Sequence, residues 1–213
     1  ANKPALYDYI DTLRRLWRGE EVAFSRQDGS LHAVVTQPRP VSQELPVWVT
    51  TAGNPDTWRE AGEIGANVLT HLLGQSVDEV ADKIKIYHAA LREAGHEGKA
   101  QKMLAIACVC AETEAQAKLI AGTAAWRKVA TQLGVKEPLK SPEEVQDAYR
   151  RLAPSHQNLF DETLHSMTTG TPEQCREKIQ QLASQFAVEE IGLVAVTHSL
   201  DDRLNSYRLL ANA

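Results

Sequence analysis

Residues 53–57, Gly-Asn-Pro-Asp-Thr, bring together the groups that can hold an anion at a strand-to-helix turn. Asn54 suits an N-cap, because its side-chain oxygen can accept from the free amides of a first helical turn. Pro55 then falls at the first helical position, where its missing N–H costs nothing. Gly53 frees the backbone for close approach, and Thr57 adds a hydroxyl within the first turn. Unpaired N–H groups and the positive helix end favour phosphate or carboxylate at such a place. An ordinary capped turn carries the same signature, so the local residues leave both readings open. His71 is the next candidate: Thr70 and His71 interrupt an apolar stretch, as a cavity-lining pair would. A core histidine satisfied by neighbouring backbone fits the same pattern. His198 could reach the same rim as His71, or stand in solvent beside a Ser199 cap. Cys108 and Cys110 share one face of a strand as small core residues, and Cys175 sits in a helix without a partner in sequence. No Cys-x-x-Cys or His-Glu-x-x-His pattern supports a metal, and no Gly-x-Gly-x-x-Gly follows a strand to hold a nicotinamide dinucleotide.

Composition bounds the rest. A chain of 213 residues with 43% hydrophobic and 24% charged residues can bury a core, and one domain over residues 1–213 is expected. A net charge of −5 without a long basic run argues against nucleic acid or an anionic membrane surface as the main partner. No apolar run approaches the roughly 18 residues of a membrane span. Three cysteines make no disulfide framework, which makes a reducing cytoplasm the expected compartment. The chain opens at Ala1 without an initiator Met, which reads as part of something longer.

The elements that must position these residues can be read in order. Asn2–Arg18 is amphipathic, with Leu6, Ile10, Leu13 and Trp17 near a 3.6-residue period, and Gly19 closes it. Glu21–Phe24 and Leu31–Thr36 flank an Asp28-Gly29 turn and read as a small hairpin. Pro46–Ala52 reads as a buried strand feeding the helix that Asn54 caps and Gly65 ends. Asn67–Leu73 is a second strand, and Ser76 with Glu79 forms a capping box for a helix over Val77–Ala94. Lys102–Cys110 is a third strand, followed by a helix over Glu114–Leu133. A short capped helix starts at Ser141, and the polar tract Pro154–Met167, with His156 and His165, reads as an active-site loop or a solvated connection. Thr171 and Gln174 form another box for a helix to Phe186; Glu190–Thr197 is the fourth strand and Leu200–Leu210 the last helix. Trp17, Trp48, Trp58 and Trp126 read as packing residues.

Four strands alternating with helices, each apolar on both faces, indicate a parallel α/β sheet covered on at least one side. Right-handed crossovers place the carboxyl ends of the strands on one rim, where α/β sites lie. Four such units make half of an eightfold barrel, whose unpaired edges and open apolar face call for an N-terminal half or another chain.

At this point the residues carry a resemblance. Residues 51–74, TAGNPDTWREAGEIGANVLTHLLG, resemble the fifth-to-sixth βα segment of the bacterial luciferase-like flavin monooxygenases. Within that family they are most similar to the subgroup found in peptide and polyketide synthetase assembly lines. Residues 9–20, YIDTLRRLWRGE, resemble the helix after the fourth strand, and residues 169–174, TGTPEQ, resemble the Gly-Thr-Pro-Glu helix start. Thr197-His198 through Leu210 resemble the last βα unit. The match covers nearly the whole chain in order, while the first four βα units of the family have no counterpart.

The resemblance implies the carboxyl-terminal half of a (β/α)8 TIM barrel, with four parallel βα units plus an N-terminal helix and a small hairpin. It implies an FMN-dependent monooxygenase: reduced FMN from a separate flavin reductase reacts with oxygen to give a C4a-hydroperoxide that oxygenates a small-molecule or carrier-bound organic substrate. The deazaflavin F420 is the alternative cofactor in related families. It further implies that Gly53, Asn54 and Thr57 occupy the FMN-phosphate turn, where Gly53 replaces an acidic residue, and that His71 faces the flavin pocket. Catalytic groups lie largely in the half that has no counterpart here. A non-catalytic flavin- or phosphate-binding half-barrel that pairs with itself is the alternative reading.

Overall fold

A computed structural model describes residues 4–25, 27–42 and 45–212. The chain divides into two compact units. One holds the residues up to Val68 together with Lys85–Gln101, and the other holds Leu69–Ile84 together with everything from Lys102 onward.

The first unit begins with α1 (Pro4–Trp17), whose last turn carries Arg14 and Arg15 against the negative helix end. Gly19 adopts φ 79° just beyond it, a conformation a side chain would resist. Arg14 Nη1 donates to the Ile64 carbonyl at 2.9 Å, and the Tyr7 hydroxyl donates to the Thr57 carbonyl at 3.3 Å. Strands β1 (Val22–Ser25) and β2 (Leu31–Val34) form the expected hairpin, with Val22 opposite Val34 and Ser25 opposite Leu31. Asp28 Oδ1 organises its turn by accepting from the Ser30 amide and hydroxyl. Strand β3 (Trp48–Thr50) is shorter than the sequence suggests, and helix α2 (Pro55–Glu63) comes after it. Strand β4 (Asn67–His71) and helix α3 (Val77–Glu93) each contribute one end to this unit. The Asn67 amide donates to the Val47 carbonyl at 2.9 Å and the Val68 amide to the Gln101 carbonyl at 3.1 Å.

The core of this unit centres on Trp58, which is fully buried and meets Tyr87 edge-on at a ring separation of 6.5 Å. Both polar tips are satisfied, as buried aromatic handles require. Trp58 Nε1 donates to the Ala52 carbonyl at 2.9 Å and the Tyr87 hydroxyl to the Ala66 carbonyl at 2.7 Å. Gly62 lets α2 and α3 approach closely: a Cβ there would lie 2.7 Å from the Ala90 Cβ and 2.8 Å from the Tyr87 carbonyl oxygen.

The second unit is built on β5 (Lys102–Cys110). It pairs in parallel with β6 (Thr168–Gly170) through Cys108–Cys110, and with β7 (Glu190–Val194) through Met103–Ala107. The end of β4 joins it where the Leu72 amide donates to the Ala105 carbonyl at 3.1 Å. Strand β6 is an addition to the four expected strands. Its Thr-Thr-Gly has no hydrophobic run to announce it; the ladder with β5 makes it a strand. Helix α4 (Glu114–Gln132) starts at a Thr113 cap, and α5 (Pro142–Tyr149) at the Ser141–Glu144 box. Ala117, Ile120 and Ala121 of α4 bury against Val109 and Ala111, while Ala125 and Val129 bury with Val145 and Phe160.

The tract over Pro154–Met167 is neither a loop nor a solvated connection. It forms helix α6 (Pro154–Ser166), whose Phe160 is buried beside Val129 and Val145. Leu159, Phe160, Thr163 and Leu164 carry the helical period, but polar residues between them hide it in the sequence. Helix α7 (Pro172–Phe186) has the predicted Thr171–Gln174 box and ends at Ala187, which takes a left-handed φ of 46°. Helix α8 (Leu200–Ala211) closes the chain under a Ser199 cap. Among the described residues no helix is long and apolar enough to cross a membrane.

The close approach at Gly62 makes a test of this packing. Gly62→Ala should lower stability by about 1–3 kcal/mol, because overpacking against backbone outweighs the better helix propensity of alanine. A reduced midpoint of urea unfolding with an unchanged slope is the expected result.

Candidate functional site

In the first unit, the turn between β3 and α2 takes the conformation its residues require. Asn54 is extended (φ −85°, ψ 116°) and its Oδ1 accepts from the Asp56 amide at 2.9 Å, which makes it the N-cap. Pro55 sits in the first turn as predicted. Gly53 and Asn54 are exposed and Thr57 is half-buried. A Cβ added at Gly53 would meet nothing within 4 Å, and Gly53 is not among the glycines with positive φ. No turn strain therefore demands glycine there; what glycine leaves is open space beside the first amides of α2. Asp56 places a carboxylate in the same turn, held at 2.7 Å by Arg59 Nη1. That ion pair moderates the repulsion an incoming anion would feel.

Behind the turn lies an acidic patch. Tyr7 has its hydroxyl pKa pushed up by burial and then by the neighbouring Glu60 and Glu63 carboxylates, so it stays a protonated donor. Glu60 Oε2 is buried without a hydrogen-bond partner among the described residues.

In the second unit, His71 ends β4 and is half-buried. Its carbonyl accepts from Gln75 Nε2 at 2.9 Å, and Gln75 Oε1 in turn accepts from Lys83 Nζ at 2.8 Å. The backbone at His71 is thus pinned by the loop beyond it. The side chain is different: among the described residues, His71 Nδ1 is buried with no partner, and so is Oγ1 of the adjacent Thr70, which is 1% exposed. Buried polar atoms are rarely left unpaired, so two orphans in succession mark a place where a partner is due. This sets His71 apart from a core histidine satisfied by backbone. His198 lies exposed next to the Ser199 cap, as its solvent reading expects, and Thr197 Oγ1 donates to the Ser199 carbonyl at 2.7 Å.

The loop after β4 also borders a cavity of about 450 Å³ that lies wholly within the second unit. Leu72, Ile106, Ala107, Met167 and Val194 contribute its apolar wall. The sequence offers no signal for it, because its walls come from separate stretches of the chain.

All three cysteines are buried. The sequence leaves Cys175 alone in its helix; in the fold it meets the thiols of Cys108 and Cys110, with its Sγ 3.9 Å from the Val109 carbonyl oxygen. Helix α7 brings it onto β5, a contact that sequence spacing cannot reveal. Burial, then Cys175, pushes the Cys110 thiol up to about 12. The Cys110 amide is satisfied by Ser206 Oγ at 2.8 Å. Among the described residues no cluster of His, Cys, Asp and Glu could hold a metal ion.

Comparison with known proteins gives this geometry a setting. The sequence model of a family described as luciferase-like monooxygenase matches residues 4–189. The uncharacterized protein YwcH of Bacillus subtilis (strain 168) is 32% identical over 111 residues, which are 52% of this chain and 33% of that protein. The crystal structure of apo-MsnO8 superposes with a TM-score of 0.79 at 20% identity, over 99% of this chain and 60% of the other. The oxygenating constituent of 3,6-diketocamphane monooxygenase from the CAM plasmid of Pseudomonas putida, in complex with FMN, gives 0.60 at 16% identity over 96% of this chain and 59% of that one. The coenzyme F420-dependent tetrahydromethanopterin reductase of Methanopyrus kandleri gives 0.65 at 16% identity, over 94% and 59%. The chain thus spans about a third of the length of YwcH and three-fifths of the length of these solved structures.

The thiol cluster makes a separate prediction. A raised thiol pKa means the folded state holds its proton longer than the unfolded one. This contribution to stability is intact at neutral pH and is lost as pH climbs from the unfolded value, about 8.5, to the folded one. In native protein at pH 8 a thiol reagent should leave all three cysteines unmodified, and in denaturant it should titrate three. Rapid native labelling of any one would contradict the burial described.

Proposed function

Because the chain belongs to the luciferase-like monooxygenase family, we propose that it serves in the flavin-dependent oxygenation of an organic substrate and forms the phosphate side of the flavin pocket. The observation that carries this reading is the family match over residues 4–189, which contains both the Asn54 turn and the orphaned Thr70–His71 pair. When bound, reduced flavin would supply the electrons that activate dioxygen. The diketocamphane monooxygenase constituent is in complex with FMN and the Methanopyrus reductase depends on F420, and both cofactors carry phosphate for the turn to bind.

The residues present fit such a group. The positive start of α2 and the open space at Gly53 admit a phosphate, with Thr57 further along the first turn. Asn54 orients this end by holding the Asp56 amide, which keeps the helix start rigid. In the second unit, taken by itself, His71 Nδ1 has no partner among the described residues and would pair with a polar atom of a bound ligand. Tyr7, kept protonated, and the buried Trp58 hold α2 in place from beneath. A separate reductase would deliver the reduced flavin.

A second reading has its own support. Leu200, Leu204 and Tyr207 form a row on α8 that is 62%, 38% and 37% exposed. Such a row favours a partner surface, met either by an N-terminal half or by a second copy in a non-catalytic, self-assembled half-barrel. Sedimentation separates the cases, since a 23.5 kDa monomer contradicts self-assembly.

The full-length gene product that contains this sequence should bind FMN, and should consume oxygen when a reductase keeps the flavin reduced. Absence of flavin binding would overturn the proposal, and a cofactor with the F420 spectrum would change its cofactor. Asn54→Ala should cost about 1 kcal/mol of stability through the lost cap and weaken FMN at least tenfold. If affinity falls no further than the stability loss explains, the phosphate assignment is wrong.

A further inference from the structure

The cavity of the second unit differs in charge from the chain as a whole. The protein carries a net charge of −5, yet no Asp or Glu is among the cavity's described lining residues. Its ionisable side chains are Lys128 of α4, Lys178 of α7 and His165 of α6. Lys128 Nζ would stand 3.7 Å from a Cβ added at Gly74, which places the ammonium over the loop after β4. Neither lysine has a carboxylate within ion-pair distance among the described residues; Lys178 makes one long bond, 3.4 Å, to Gln181 Oε1. Some lysines elsewhere find acidic partners, as Lys118 does with Glu114 and Lys140 with Glu137. Two cations without carboxylates on one cavity, in an acidic protein, make a local positive field. Apolar residues supply much of the wall, beside Gln75, Ser76, Thr163, Ser166 and Thr168, and the volume of about 450 Å³ lies within the roughly 300–1,000 Å³ of ligand pockets.

We propose that this cavity binds an amphiphilic organic anion, a molecule with an apolar body and one carboxylate, with the carboxylate held by Lys128 and Lys178 and the body against Leu72, Ile106, Met167 and Val194. Resting on the flavin-oxygenase reading, it names the class of substrate for that reaction. The division of labour is physical. Apolar contacts hold the body without direction, and the lysines fix the position of the charged end. The lysines are exposed, so their contribution is screened by salt, whereas the apolar contribution is not. A flavin phosphate has the same chemistry as the anionic end, and the experiment has to separate the two sources.

Calorimetric titration with decanoate and with decanol, in the presence and absence of saturating FMN, does so. Decanoate should bind at least tenfold more tightly than decanol at low salt, and the gap should shrink at high salt. Lys128→Gln and Lys178→Gln should each weaken decanoate about three- to tenfold and leave decanol unchanged. Both positions are exposed, so folding should be unaffected, and circular dichroism checks this. Equal affinity for decanoate and decanol, or lysine variants that bind decanoate as the parent does, overturns the proposal. Competitive displacement of decanoate by FMN also overturns it, because the anion held would then be the cofactor phosphate. Failure of FMN to bind at all bears on the flavin reading alone, since the decanoate titration without FMN still stands or falls by itself.

Discussion

A parallel strand cannot satisfy its own backbone, and β5 meets that constraint by drawing three other strands to its sides. Its amides and carbonyls are met by the end of β4, by β6 and by β7, and its side chains are covered by α4 on Val109 and by α7 at Cys108 and Cys110. Helices α4, α7 and α8 keep the carboxyl end of this strand paired and dry. Even the single amide at Cys110 is taken by the Ser206 hydroxyl of α8. The strand alternates between fully and partly buried residues along Lys102–Ala107 and is buried throughout from Cys108 to Cys110. That gradient is what an interior strand shows when its carboxyl end is capped by helices and its other end is more open.

The same bookkeeping of polar groups distinguishes structural positions from candidate functional ones. Tyr87, Trp58 and Asn67 all have buried polar tips, and each finds a carbonyl or amide. Thr70 and His71 do not, though the backbone around them is firmly held through Gln75 and Lys83. A rigid backbone presenting unsatisfied side chains is the arrangement that a binding site requires, since the scaffold does not have to reorganise when the partner arrives. The Asn54 turn obeys the same logic at a helix start, where the cap uses one amide and leaves the opening beside Gly53 free.

Charge and burial divide the second unit between inert and receptive chemistry. The three thiols are enclosed, and such buried sulfurs behave as small apolar groups. The lysine-lined cavity is open and positive, with no carboxylate on its described wall. The first arrangement stabilises the union of α7 with β5; the second is where a charged small molecule has something to gain.

By itself the sequence determined the capped helices, the strand that spans Lys102–Cys110 and the family to which the chain belongs. Caps are set by residues within one turn of each other, as at Asn54, Ser76, Ser141 and Thr171, and the strand declares itself as the unbroken apolar run from Met103 to Cys110. The tertiary structure alone decided the rest. Strand β6 exists because β5 offers an edge to Thr168–Gly170, and α6 is a helix because Phe160 finds a buried place between α4 and α5. Cys175 reaches Cys108 and Cys110 across more than sixty residues, and the cavity collects its lysines from two helices that are distant in sequence. Local physics writes caps and periodicity into neighbouring residues. Edges, enclosed volumes and unpaired charges are properties of surfaces that come together only when the chain is folded.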